Sequence, residues 1–134
     1  MKTTYRKGNH CIFSIQAHTY FVVKRRKKIL TPAMFERIEE VAAKVLVKNR
    51  CMLLEFGGEA DHVHLLLDLH PDNNWSQLCG SIKSATSRIV GKEFAGEIRP
   101  YIAKGLWGKQ LYLRSAGGAP LSKLKDYIDH HSYG

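Results

Sequence analysis

A chain of 134 residues with 44% apolar side chains is long enough for one domain with a hydrophobic core and too apolar for a disordered segment. No apolar run approaches the ~20 residues that cross a bilayer, and the start, Met1-Lys2-Thr3-Thr4-Tyr5, lacks the apolar stretch of a signal peptide. The formal charge of +9 points to a polyanionic partner, nucleic acid before a membrane surface; Cys11, Cys51 and Cys79, widely spaced, fit free thiols in a reducing cytoplasm.

Residues 1–9 are polar and basic and read as a loose arm. His10 to Val23 is rich in β-branched and aromatic residues and predicts a long first strand. It runs into Lys24-Arg25-Arg26-Lys27-Lys28, consecutive cations expected to contact phosphates rather than only solvate an edge. Thr31-Pro32 is a helix start, a capping hydroxyl followed by proline at the first helical position. Phe35, Ile38, Val41, Ala42, Val45 and Leu46 continue that helix at helical spacing to about Asn49. Cys51–Phe56 predicts a second strand, Gly57-Gly58 a turn, and His62–Leu69 a third strand, closing a hairpin.

The third strand is the chemical centre of the sequence. In Asp61-His62-Val63-His64-Leu65-Leu66-Leu67, residues two apart share a face and stand about 7 Å apart, so His62 and His64 project side by side while Val63, Leu65, Leu67 and Leu69 cover the other face. Two imidazoles on one strand are able to fill two positions of a divalent ion. The spacing alone is a weak motif; the setting strengthens it, because polar groups within a leucine-rich strand need partners.

Pro71-Asp72-Asn73-Asn74 punctuates the chain, and Trp75, Leu78, Cys79, Ile82, Ala85, Ile89 and Val90 mark a second amphipathic helix. Its other face carries Lys83, Ser84, Ser87, Arg88 and Lys92, cations and hydroxyls suited to a nucleic-acid backbone. Residues 95–108 read as irregular and Gln110–Ser115 as a fourth strand. Gly117-Gly118 is a joint before a final helix at about 120–131. Its apolar stripe is Leu121, Leu124 and Ile128; Lys123, Tyr127 and His131 follow one another at i, i+4 beside it. A cation, a phenol and an imidazole on one ridge are parts for attack on a phosphodiester. His131 is a candidate third ligand with His62 and His64, Tyr127 a candidate nucleophile, and Lys123 a countercharge. The order β-α-β-β-α-β predicts an α+β domain over 1–134: a ferredoxin-like split βαβ, antiparallel sheet with helices on one face, plus the C-terminal helix.

Asp61-His62-Val63-His64-Leu65-Leu66, with Leu106-Trp107-Gly108 and Tyr127-Ile128 well downstream, resembles the single-tyrosine HUH-type (Y1) transposases of the IS200/IS605 insertion sequences and the related REP-associated tyrosine transposases. The resemblance implies that His62 and His64 hold Mg²⁺ or Mn²⁺. It implies that Tyr127 attacks single-stranded DNA to give a 5′-phosphotyrosine, in a homodimer that recognises hairpins and whose tyrosine helix serves its own site or, in trans, the partner's. The family's third ligand lies four residues after the tyrosine and is often glutamine; here His131 stands there, with His130 and Asp61 as substitutes. Lys24, Arg25, Arg26, Lys27, Lys28, Lys83, Arg88 and Lys123 are the expected DNA contacts. The rival readings are a domesticated REP-associated relative, a non-catalytic ferredoxin-like nucleic-acid-binding module, and a small metal-dependent hydrolase unrelated to DNA. An RNA-binding sheet would carry stacking aromatics on its central strands, whereas the hairpin strands here offer Phe56 and two histidines.

Overall fold

Strand β3 (Gln16–Val22) lies inside the sheet and fixes the register of its neighbours. It pairs along its whole length, antiparallel, with β5 (His62–Asp68), from Gln16 opposite Asp68 to Val22 opposite His62. Strand β4 (Met52–Glu59) pairs with the far edge of β5, and β6 (Tyr112–Ser115) with the free edge of β3, giving the order β4-β5-β3-β6. All pairs are antiparallel. This is the expected split βαβ sheet. The computed structural model describes residues 5–8, 11–116 and Asp129, and the expected helix at 120–131 lies otherwise outside them.

Helix α1 (Pro32–Lys48) begins where the sequence predicts: the Thr31 hydroxyl accepts from the Met34 amide at 3.3 Å, and Pro32 occupies the first turn. Helix α2 (Trp75–Glu93) is capped in the same way by the Asn74 side chain, which accepts from the Gln77 amide at 3.0 Å. Both helices bury their apolar stripes against one face of the sheet. Met34, Ile38, Ala42 and Leu46 of α1 and Leu78, Cys79, Ile82 and Val90 of α2 meet Ala17, Phe21, Val63, Leu65 and Leu67 in one core. Truncating a fully buried member such as Leu65 to alanine costs about 2–5 kcal/mol. With a side-chain period of two, the opposite face must carry His18, Tyr20, His62, His64 and Leu66. The leucines therefore anchor the strand from beneath and aim its histidines away from the core.

Several segments depart from the sequence reading. The loose arm instead supplies β1 (Arg6–Gly8), paired with β2 (Cys11–Phe13) in a small hairpin, so the predicted long strand is broken around Ser14-Ile15. Gly57-Gly58 is not a turn but the end portion of β4; the chain reverses at Ala60-Asp61. Gly58, at φ 151°, lies so close to β5 that a Cβ would meet the His62 carbonyl oxygen at 2.2 Å. Glycine serves there for close approach within a ladder. A short helix α3 (Ala95–Ile98) stands in the stretch read as irregular. Beyond it the chain is pinned by side chains: Arg99 donates to the Ile102 and Gly105 carbonyls at 3.1 Å, and Trp107 Nε1 to Thr86 Oγ1 at 2.8 Å.

Candidate metal and nucleic-acid site

His62 and His64 project from the same face of β5, as alternation demands; His62 is buried and His64 half-buried. Tyr20, directly opposite His64 on β3, stacks against His62 (centroids 5.4 Å apart, planes 20°) and lies tilted beside His64 (5.8 Å, 38°). One phenol ring thus supports both imidazoles from the neighbouring strand. This role has no local signal in the chain, because it depends on register between distant segments.

The rotamer and tautomer of His62 are set by its neighbour. His62 Nδ1 lies 2.8 Å from Asp61 Oδ1. An ionised carboxylate only accepts, so Nδ1 carries the proton and Nε2 keeps the lone pair free for a ligand. Burial alone would raise the Asp61 carboxyl; the hydrogen bond from His62, then the hydrogen bond and charge of Arg26, outweigh it and hold the group below its ordinary range. Arg26 Nε meets Asp61 Oδ2 at 3.0 Å, and Arg26 Nη2 meets Asp129 Oδ1 at 3.2 Å. A continuous polar line therefore runs His62–Asp61–Arg26–Asp129. The backbone is bent to make it: Arg25 and Arg26 take left-handed angles, φ 55° and 51°, in a 3₁₀ turn over Lys24–Arg26. Such angles cost a non-glycine residue about 1–2 kcal/mol each. The turn is held by Val23 N to Asp61 O (2.9 Å), Lys24 N to Leu106 O (3.0 Å) and Arg26 N to Val23 O (2.8 Å).

His64 is positioned by what is missing across the ladder. Gly57 sits opposite it, and a Cβ there would come within 2.8 Å of His64 Nε2. The imidazole lies over the bare glycine. Glu59 pairs with His62, and ligand atoms of Glu59, Asp61 and His62 lie within 4.8 Å of one another. Asp61 has both oxygens engaged, by His62 and Arg26, and Glu59 is a second carboxylate beside His62. Neutral histidine nitrogens with a carboxylate are a donor set that fits a divalent ion. His18, further along the same face, is a different case: burial lowers its pKa, and Arg114 adds to that against the opposing pull of Glu55.

Of the expected DNA contacts, Arg25, Lys27, Lys28 and Arg88 are exposed. Lys24 donates to the Lys104 carbonyl. Lys83 is turned inward: its ammonium donates to the carbonyls of Gly108 (2.7 Å) and Gln110 (3.1 Å), and burial lowers its pKa. It braces the 106–110 segment, which the sequence, showing only a cation on a helix face, did not reveal. Lys123, Tyr127, His130 and His131 lie outside the described residues.

The family model described as "Transposase IS200 like" matches residues 11–131. The transposase for insertion sequence element IS200 of Salmonella typhimurium is 24% identical over 121 residues, spanning 90% of this chain and 79% of its own. The ISDra2 transposase TnpA of Deinococcus radiodurans is 22% identical over 107 residues, 80% of this chain and 73% of its own. Among solved structures, a presumptive transposase from Deinococcus radiodurans superposes with a TM-score of 0.81 at 19% identity, covering 92% of this chain and 95% of that one. A REP-associated tyrosine transposase bound to a REP hairpin superposes with a TM-score of 0.57 at 15% identity, covering 97% and 66%. These likenesses carry the fold, and the family match over nearly the whole chain carries the membership: this protein belongs to the IS200-like transposases.

Proposed function

We propose that the chain cleaves and rejoins single-stranded DNA by metal-assisted transesterification through Tyr127, recognising hairpins at the ends of an insertion sequence. The observation that carries the reading is the line from His62 through Asp61 and Arg26 to Asp129. It ties the histidine strand to a residue two positions after Tyr127 and two before His131. His62, with Glu59 beside it, His64 and His131 are the groups that would hold Mg²⁺ or Mn²⁺. Bound there, the ion would supply Lewis acidity at the scissile phosphate.

The phenol of Tyr127, with an ordinary pKa of about 10, needs cationic help to ionise, and Lys123, four residues before it in the sequence, supplies that charge. The phenolate oxygen forms a bond to phosphorus while the bond to the 3′-oxygen breaks, and that oxygen takes up a proton. A later 3′-hydroxyl reverses the exchange on another strand, so the phosphodiester count is conserved and no ATP is needed. Arg25, Lys27, Lys28 and Arg88 contact the backbone of the strand. Lys24 and Lys83, with donors already spent on carbonyls, shape that surface rather than line it.

Asp129 pairs with Arg26 of its own chain, which fits a tyrosine segment serving its own site; the homodimer is what the family resemblance implies. The free Cys11, Cys51 and Cys79 suit work on cytoplasmic DNA. Among the described residues no helix is long and apolar enough to cross a membrane.

The test is incubation of labelled single-stranded DNA from the flanking locus with Mg²⁺ and a denaturing gel. Wild type is expected to give a protein–DNA adduct and Tyr127→Phe none; an adduct with Tyr127→Phe would reassign the nucleophile. His62→Ala should abolish cleavage while hairpin binding persists.

A further inference from the structure

A cleft of about 610 Å³ opens beside the basic run, lined by Lys27, Lys28 and Thr31 on one side and by Glu97, Pro100 and Tyr101 on the other. Its size is that of a small-ligand site. Tyr101 is 57% exposed, although its backbone is held: its amide donates to the Ile98 carbonyl at 3.0 Å, and its neighbours Ile98 and Ile102 are fully buried. A rigidly mounted aromatic ring left in water, facing two lysines, is an arrangement that stacks a planar group with little ordering cost. Gly96 also lines the cleft, and a Cβ there would touch nothing within 4 Å.

The cleft is fastened to the histidine site. Lys27 and Lys28 directly follow Arg26, which grips Asp61, and two residues further on the Leu30 amide donates to the Ala60 carbonyl at 2.9 Å, in the turn that delivers Asp61 and His62. One short backbone segment therefore joins the wall of this opening to the turn that carries Asp61 and His62. We propose that the cleft is a subsite for one unpaired base of the single strand adjoining the cut phosphate, its ring on Tyr101 and its phosphate on Lys27 and Lys28. Glu97 repels a phosphate lying on its own side, so the base and not the backbone occupies that wall; its carboxylate also accepts from an exocyclic amine. The inference rests on the strand-cleavage reading and adds to it a place where flanking sequence is sensed.

The test uses two probes: oligothymidylate carrying single 2-aminopurine substitutions, and a blunt DNA hairpin with no unpaired tail. Wild type should quench the 2-aminopurine at one position of the strand. Tyr101→Ala should lose that quenching and bind the strand about tenfold more weakly, in line with loss of one stacked base, with unchanged affinity for the blunt hairpin. Tyr101→Phe should behave as wild type. Unaltered strand binding by Tyr101→Ala, or an equal loss on both probes, overturns the subsite; a melting temperature equal to that of wild type confirms that the variant is folded. The adduct assay with Tyr127→Phe is read separately, so loss of the cleavage reading and loss of the subsite are distinct results.

Discussion

At the scale of single residues, the site is governed by what holds the imidazoles rather than by the imidazoles alone. Gly57→Ala would set a methyl 2.8 Å from His64 Nε2, so the ring must swing aside or β4 must shift. Metal affinity, followed by Mn²⁺ titration, should fall about tenfold or more, with hairpin binding retained. Asp61→Asn keeps one accepting oxygen and turns the other into a donor, so the side chain no longer accepts from both His62 and Arg26; the expected loss of Mn²⁺ affinity is about 10–100-fold. The histidine pair was readable from the chain because alternation in a strand is a local rule. Tyr20, Gly57 and Glu59 were not, since each acquires its part only from the partner opposite it in the ladder, and pairing partners lie outside any short window of sequence.

At the scale of elements, α1, α2, β5 and β6 fall where caps and hydrophobic period put them, while β3 is shorter than the strand expected and β4 longer. The misses have physical causes. Two adjacent glycines read as a turn because glycine favours turns, yet here they let β4 pass close to β5 and its histidine. The first nine residues read as loose because they are polar, although Arg6, Lys7 and Gly8 find ladder partners in β2. The 3₁₀ turn at Lys24–Arg26 was legible only as charge; that it bends through two left-handed arginines to clasp two carboxylates was not. Asp129→Asn should slow adduct formation severalfold while leaving Mn²⁺ affinity and hairpin binding at wild-type values, because the charge paired with Arg26 is lost and the histidine strand is left intact. Equal losses in all three measurements would show that Asp129 has no such selective part.

At the scale of the whole molecule, the two helices occupy one side of the sheet and the chemistry the other, with the cationic turn at the boundary. Affinity for single-stranded DNA should fall steeply with salt. Neutralising Lys27 and Lys28 together should flatten the log–log slope by about 0.7 for each phosphate contact removed; an unchanged slope would take both lysines off the DNA path. The +9 charge announced a polyanion from composition alone, but which cations are free and which, like Lys83, are spent on carbonyls became visible only in three dimensions. Strand β5 has a hydrogen-bonded neighbour on each edge, and this makes parity a constraint on the gene. One codon inserted between those for His64 and Leu65 would send either the imidazoles inward or the leucines outward, and a bulge that restored the alternation would have to disrupt the ladders on both edges at once. Two inserted codons would restore the in-and-out rhythm, so the reading of odd against even insertions at this point would report the site's dependence on strand pairing more sharply than any point substitution.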